Sequence, residues 1–509
     1  MNIPTFLENK PALIKRLIAL VAVSVFFEMY YNVPRLVGET GIVSSINAIL
    51  IKNSTQGIWS NFIQFPTIFW LGVSNNIIQL ACLFGAMIAF LIVIGLNWFI
   101  ADLLVWFLFA SLMQILGLFV DINDFLLVEC LFLMIFFFPM HLRPKWNQYT
   151  LPSKLGLIGI YTLIFKLSFG MLLYKIMYKF PGWYDLTILK KFCSNSPTPT
   201  PLSFIIYQIP MHYLQICTLL VFVLQFLISV LVFFPLKYRR WAFIFTLLLQ
   251  IPILLVTNLG ATNYLTIIIS LSLLMNLKEV ESTNFSKIIF FLPLLIYIFV
   301  SITTLRTHFN PPESNHLSLK FLFYKELNQA NPLEKVEIYA FRYKISNVLA
   351  RFHGIFDDQR DVEFQYSENG IDFVPVFLKL SLGQESKAPG FFWGSSVVRM
   401  RYPFFYFLKD SHLPLWRGGI YDSFPWYENL IKKSMYDQEQ FFNDFTDSKP
   451  SCYPHCRYYK FLINKYQYTN AEILEREGRW WEKTLIKETP VIDLEKFDGK
   501  IRSNFYPDR

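Results

Sequence analysis

The sequence predicts an α-helical polytopic membrane bundle followed by a β-rich, sandwich-like soluble domain, and three observations lead there. Charged residues make up only 16% of the 509 residues and hydrophobic ones 54%, whereas soluble domains carry about a quarter charged residues. The apolar residues crowd into the first three-fifths of the chain and the charges into the remainder, which separates a membrane part from a globular part. From about Ser314 onward, long apolar runs give way to short ones with period-2 character, the pattern of half-buried strands.

The first apolar span runs from about Leu17 to Tyr31 behind Lys10, Lys15 and Arg16. Its basic start is that of a signal peptide, but no small-residue cleavage site follows and more spans come after it, so it reads as a retained helix. Further stretches near bilayer-crossing length (roughly 20 residues) lie at Ile77–Leu96, Phe99–Val120, Phe125–Met140, Leu155–Tyr178, Tyr213–Phe234, Trp241–Val256, Tyr264–Leu277 and Ile288–Leu305. The expected organisation is a region of about nine spans over 1–306 and a soluble domain over 314–509.

The net charge of +9 does not point to nucleic acid, because the basic residues sit at span ends, where they act as topology signals. Lys15/Arg16, Arg143/Lys145, Lys237/Arg239/Arg240 and Lys278/Lys287 all fall on one side if every span crosses. That side is then cytoplasmic. The trans side receives Arg35–Ile58, Pro181–Pro210, the turn near Asn258 and everything after Thr307.

In the soluble part, Leu317–Tyr324, Val336–Phe341, Val362–Tyr366 and Phe373–Leu380 read as strands. Ser367-Glu368-Asn369-Gly370 reads as a hairpin turn, since Asn-Gly adopts positive φ at little cost. Phe404–Leu408 and Trp426–Lys432 read as amphipathic pieces. Pro197-Thr-Pro-Thr-Pro201 is a stiff extended linker.

Of six cysteines, Cys82, Cys130 and Cys217 fall in apolar spans as packing residues, and Cys193 lies in a loop. Cys452 and Cys456 flank Tyr-Pro-His455, without two further ligands at metal-site spacing. A local disulfide and two free thiols both remain open. No metal or cofactor is implied, and no catalytic residue: neither a nucleophile elbow, a phosphate-binding glycine loop nor a zinc-binding HExxH occurs. The scattered histidines suit surface or loop roles.

Charges within apolar spans are the functional candidates, because each is costly in a bilayer. Glu28 and Lys175 stand near span ends, where snorkelling accounts for them, and Asp102 is near another. Lys166 is mid-span and needs a partner, either as a structural pair or as a site residue. Trp183 and Asp185 read as an interfacial anchor and a cap, and paired Trp480 and Trp481 as core or domain-interface residues.

Several ordered segments together resemble the lipase maturation factor family. Trp183-Tyr-Asp185-Leu-Thr187 followed by the proline run is similar to that family's tryptophan-x-aspartate-leucine-threonine segment and its proline-rich stretch. Asn258-Leu-Gly260-Ala-Thr-Asn263-Tyr-Leu-Thr266 resembles its asparagine-x-glycine turn, and Gly38-Glu-Thr-Gly41-Ile42, Ser367–Gly370 and Gly478-Arg-Trp-Trp481 fall in order around them. The set spans Gly38 to Trp481. The chain departs at Phe192-Cys193-Ser194, where the family has histidine-tyrosine-glutamate, and at Arg399-Met-Arg401-Tyr402, where an acidic residue is lost.

The resemblance implies a chaperone-like membrane protein that helps secreted, lipase-like clients fold and assemble through its trans-facing domain. Its place would be the endoplasmic reticulum membrane in a eukaryote or the plasma (inner) membrane in a bacterium. Asn258 and Asn263 join Lys166, Trp183 and Asp185 as candidate residues on that ground. The rival expectation is a polytopic membrane enzyme, with a site near Lys166 opening under the 181–210 loop. A transporter is the weaker third, because no matching pair of broken helices is visible.

Overall fold

Long runs of leucine, isoleucine and phenylalanine form helices here, since helical geometry satisfies each backbone polar group within its own segment. The computed structural model describes residues 10–42, 58–138, 141–148, 151–177, 182–196, 198–258, 260–276, 288–305, 331–347, 358–379, 381–391 and 426–496. The helical part comprises α1 (Lys10–Val37), α2 (Ile58–Gln64), α3 (Asn75–Val93), α4 (Phe99–Leu116), α5 (Ile122–Phe137) and α6 (Lys154–Met177). It continues through two short helices, α7 (Ile188–Asn195) and α8 (Pro201–Tyr207), to α9 (Met211–Leu231), α10 (Leu236–Val256), α11 (Ala261–Ser270) and α12 (Ile288–Thr303). Every predicted span falls on one of these helices. Five of them (α3, α4, α6, α9 and α10) are long and apolar enough to cross a membrane, so this is an integral membrane protein. The expected linker and polar loop at 181–210 carry α7 and α8, with Pro201 opening α8, a position where a missing N–H is harmless.

Small residues set the closest helix contacts, as packing rather than hydrophobic exclusion drives association within a bilayer. Gly85 of α3 faces Phe26 of α1, and a Cβ at Gly85 would lie 2.5 Å from the phenyl ring. Phe26 in turn stands edge-on to Phe109 of α4, centroids 5.6 Å apart, so the ring has little room to yield. Gly85→Ala is expected to cost about 1–3 kcal/mol by overpacking, read as a lower thermal midpoint in detergent. An unchanged midpoint would show slack between α1 and α3.

The C-terminal part holds an antiparallel sheet of β3 (Gln359–Ser367), β4 (Val374–Val376), β5 (Tyr458–Tyr468), β6 (Trp481–Glu488) and β7 (Ile492–Asp493). Its order is β4-β3-β5-β6, with β7 also on β5. Two-residue strands β1 (Leu96–Asn97) and β2 (Lys145–Trp146) pair separately among the helices. The predicted hairpin is present: Gly370 takes φ 77° and the amide N–H groups of Ile371 and Asp372 donate to Asn369 Oδ1. Helices α14 (Trp426–Tyr436) and α15 (Gln438–Phe445) accompany the sheet, and α15 covers one face. There Phe364 meets Phe441 at 5.4 Å and Tyr366 meets Phe442 at 5.2 Å. Between them the chain closes the Cys452–Cys456 disulfide, which settles the pair left open by the sequence.

One expected strand is corrected. Val336–Phe341 lies in α13 (Pro332–Arg342). Asn331 and Glu334 form a reciprocal capping box with Pro332 in the first turn, a strong helix start. The buried residues also fit a helical face, with Glu337, Ile338 and Phe341 inward and Val336 and Tyr339 exposed. The expected strand at Leu317–Tyr324, the piece at Phe404–Leu408 and the Arg399–Tyr402 segment lie outside the described residues. A final helix, α16 (Ala471–Glu477), ends at Gly478 with φ 67°, the left-handed cap that glycine adopts freely.

Candidate functional site

Lys166 and Glu129 form a buried ion pair among the helices. Lys166 Nζ lies 2.5 Å from Glu129 Oε2, with exposures of 4% and 0%. The same ammonium donates to Ser346 Oγ and to the Asn347 carbonyl, at 3.3 and 3.2 Å. Glu129 Oε1 accepts the Asn347 backbone N–H at 2.6 Å and its side-chain amide at 3.1 Å, while Oε2 accepts Tyr297 O–H at 3.2 Å. Helices α5, α6 and α12 are thereby tied to the segment after α13. The partner that Lys166 requires is thus a carboxylate on the neighbouring helix. Sequence reasoning passes over Glu129, although a carboxylate inside the Phe125–Met140 stretch carries the same signal as Lys166.

Asp102 has a similar fate: Lys15 Nζ reaches its Oδ2 at 2.6 Å and Asn97 Oδ1 at 3.1 Å, both ends buried. Arg239 is also buried, donating to Tyr161 O–H and to the Met275 carbonyl. Basic residues expected to mark topology therefore also pin helix ends together. Arg16 bonds Asn147 at 2.6 Å, and Lys10 the Leu274 carbonyl at 3.4 Å. These contacts gather the flanks of the four basic clusters at one end of the bundle.

At the other end, the 182–196 and 258–263 segments meet the C-terminal part. Asn258 Nδ2 donates to the carbonyls of Thr198, Pro199 and Gly390. Ser203 Oγ and Tyr468 O–H share a hydrogen bond of 2.6 Å, and Gln208 donates to the Thr469 carbonyl at 3.1 Å. Arg35 pairs with Asp444 at 3.0 Å. Burial, only partly offset by the Ser203 contact, pushes the Tyr468 hydroxyl up, so it stays protonated. Asp185 Oδ1 accepts from both the backbone N–H and the hydroxyl of Thr187, a local cap leading into α7. Against the opposing effect of desolvation, those two bonds hold its carboxyl below the usual range.

Lys175 departs from its snorkelling expectation. It is buried, 5% exposed, donates to Gln225 Oε1 of α9 at 2.9 Å, and stands 4.4 Å over the Trp183 ring. Trp183 is itself buried, edge-on to Phe222 at 5.4 Å, so its ring packs against α9 as well as over Lys175. Lys175, Trp183, Gln225 and Asn263 line a cavity of about 110 Å³ between α6, α7, α9, α10 and α11. The structure thus places Trp183 over Lys175 and Asn263 in the wall of the same cavity, puts Asn258 at a loop junction and Asp185 in a cap, and leaves Lys166 in a separate ion pair.

A family model described as the lipase maturation factor transmembrane domain matches residues 10–279, just over half of the chain. Among curated proteins, lipase maturation factor 2 of Gallus gallus is 27% identical over 268 residues, covering 50% of this chain and 37% of its own length. Lipase maturation factor 1 of Homo sapiens is 27% identical over 281 residues, covering 53% of this chain and 48% of its own length. The chain therefore spans less than half the length of these relatives. No solved structure matches. The matched region contains Lys166, Glu129, the cavity and the Asn258–Asn263 turn, and the chain belongs to the lipase maturation factor family.

Proposed function

We propose that this chain is a multi-pass, chaperone-like factor that assists the folding or assembly of secreted lipases or related clients. Its compartment on this reading is the endoplasmic reticulum membrane in a eukaryotic cell, and its C-terminal part faces the trans side. The family match over 10–279 carries the proposal, the relatives being named for lipase maturation. Two structural features support the sidedness. The basic flanks converge at one end of the bundle, as the positive-inside rule requires, while the sheet attaches at the other. The Cys452–Cys456 disulfide suits an oxidising compartment.

The membrane-enzyme reading gains no support from Lys166. Its ammonium is taken up by Glu129, Ser346 and Asn347, which use all three of its N–H donors.

Deleting the gene from a lipase-secreting cell is expected to lower the specific activity of the secreted lipase, measured as activity per mass of enzyme. Full specific activity would remove the assembly role. In the same cells, a tag after Arg509 should be protease-protected in sealed microsomes, and one between Lys237 and Arg240 cleaved. Cleavage of the Arg509 tag would reverse the assigned side.

A further inference from the structure

We infer that the cavity around Lys175 binds the carboxylate head of a long-chain amphiphile, of the fatty-acid class, inside the helical bundle. This site is separate from any client contact made by the C-terminal part.

The argument begins with an imbalance of hydrogen-bonding capacity. Lys175 brings a positive charge and three N–H donors to a place 5% exposed, and one protein acceptor, Gln225 Oε1, meets them at 2.9 Å. Among the described residues no carboxylate pairs with Lys175, in contrast to Lys15 and Lys166, each of which has one within 2.6 Å. Two more donors of the same wall lack partners among the described residues: Asn263 Nδ2 and Trp183 Nε1. Their side chains are 2% and 6% exposed. A buried donor without an acceptor is destabilising, and an unpaired buried charge more so. Donors in excess around a cation, with no acidic residue in the lining, define a site for an anion that is rich in acceptors.

The rest of the lining identifies what the anion is attached to. Ile164, Leu167, Met171, Leu249 and Ile253 form an apolar wall. Helices α9 and α10, which close one side, present Leu219, Leu220, Val223 and Leu248 outward as exposed apolar residues, a surface suited to lipid chains. A volume of about 110 Å³ has room for several water-sized groups, and so for a carboxylate and its first methylenes. A single negative charge then neutralises Lys175, the Asn263 amide and Trp183 indole supply donors, and the alkyl chain runs along the apolar wall. A lysophospholipid offers similar anion-on-chain chemistry with a larger head, which the test separates.

The experiment uses the full chain in nanodiscs of uncharged lipid with a photoactivatable palmitic acid analogue as probe. Labelling is expected on peptides of α6, α9 or α10. Unlabelled palmitate should compete at least tenfold better than hexadecanol, which has the same chain and no charge. Palmitoyl lysophosphatidic acid should compete less well than palmitate. Lys175→Met, and separately Asn263→Leu, should remove the preference for acid over alcohol while leaving chain labelling in place. Equal competition by palmitate and hexadecanol on the unaltered protein would overturn the proposal, assigning the cavity to ordered water. Stronger competition by the lysophospholipid would overturn the carboxylate assignment. Because the acid–alcohol comparison needs no variant, a failure of Lys175→Met to fold does not rescue the idea.

Discussion

Lys166→Met is expected to abolish the folded protein rather than a single activity. The substitution leaves the fully buried Glu129 carboxylate with Tyr297 and Asn347 as its donors but without a countercharge. Breaking one side of a buried ion pair costs about 3–5 kcal/mol, a large part of the stability of an ordinary domain. The penalty also spreads, because Lys166 holds Ser346 and Asn347 and thereby fastens the segment after α13 to the bundle. Solubilised Lys166→Met protein should run as aggregate on size-exclusion chromatography. Adding Glu129→Gln should recover part of the monodisperse peak, since the glutamine oxygen can still accept from Asn347, its amide N–H can donate to the Tyr297 hydroxyl oxygen in place of the bond that hydroxyl made, and the charge is gone. A monodisperse single variant that had lost only client maturation would instead make Lys166 a site residue.

The same pair shows how far the sequence can be read. Lys166 was legible as a residue in need of a partner, because a mid-span ammonium has no inexpensive isolated state. Its partner lies 37 residues away in sequence, inside the Phe125–Met140 stretch, whose other residues are all apolar. Which carboxylate faces which lysine depends on helix rotation, and weak amphipathicity does not fix rotation in the membrane. Lys175 failed for a related reason. Its place near a span end makes snorkelling the natural expectation, yet the chain folds back as α7 and caps it with Trp183. The span positions were more legible, since each rests on a run of apolar residues rather than on facing side chains. In the C-terminal part, the Asn369-Gly370 turn specified its hairpin locally, while Val336–Phe341 was misread because alternation over six residues does not exclude a helical face. The capping box at Asn331 and Glu334 was the signal that decides it.

Trp481→Ala is expected to loosen the C-terminal sheet from the helical bundle. Trp481 is fully buried, stacked on Tyr468 with centroids 4.3 Å apart and planes 17° from parallel. Its indole N–H donates to the Lys387 carbonyl at 2.9 Å. Tyr468 is the residue that reaches Ser203 and packs edge-on against Phe204 of α8 at 5.2 Å. Truncating the indole therefore costs the cavity itself, about 3–5 kcal/mol for a buried aromatic, and also frees the ring that fastens β5 to α8. Trp480 is the control: it is half-buried, meets Phe204 at 5.2 Å, and its loss leaves the Tyr468–Ser203 bond in place. Limited proteolysis of the solubilised protein should cut Trp481→Ala rapidly within 381–496 while the helices up to α11 resist, with Trp480→Ala intermediate. Equal cleavage of the two variants would mean that the stack does not transmit the loss. The junction at α8 would then depend on the Gln208–Thr469 and Asn258–Gly390 hydrogen bonds, which neither substitution touches.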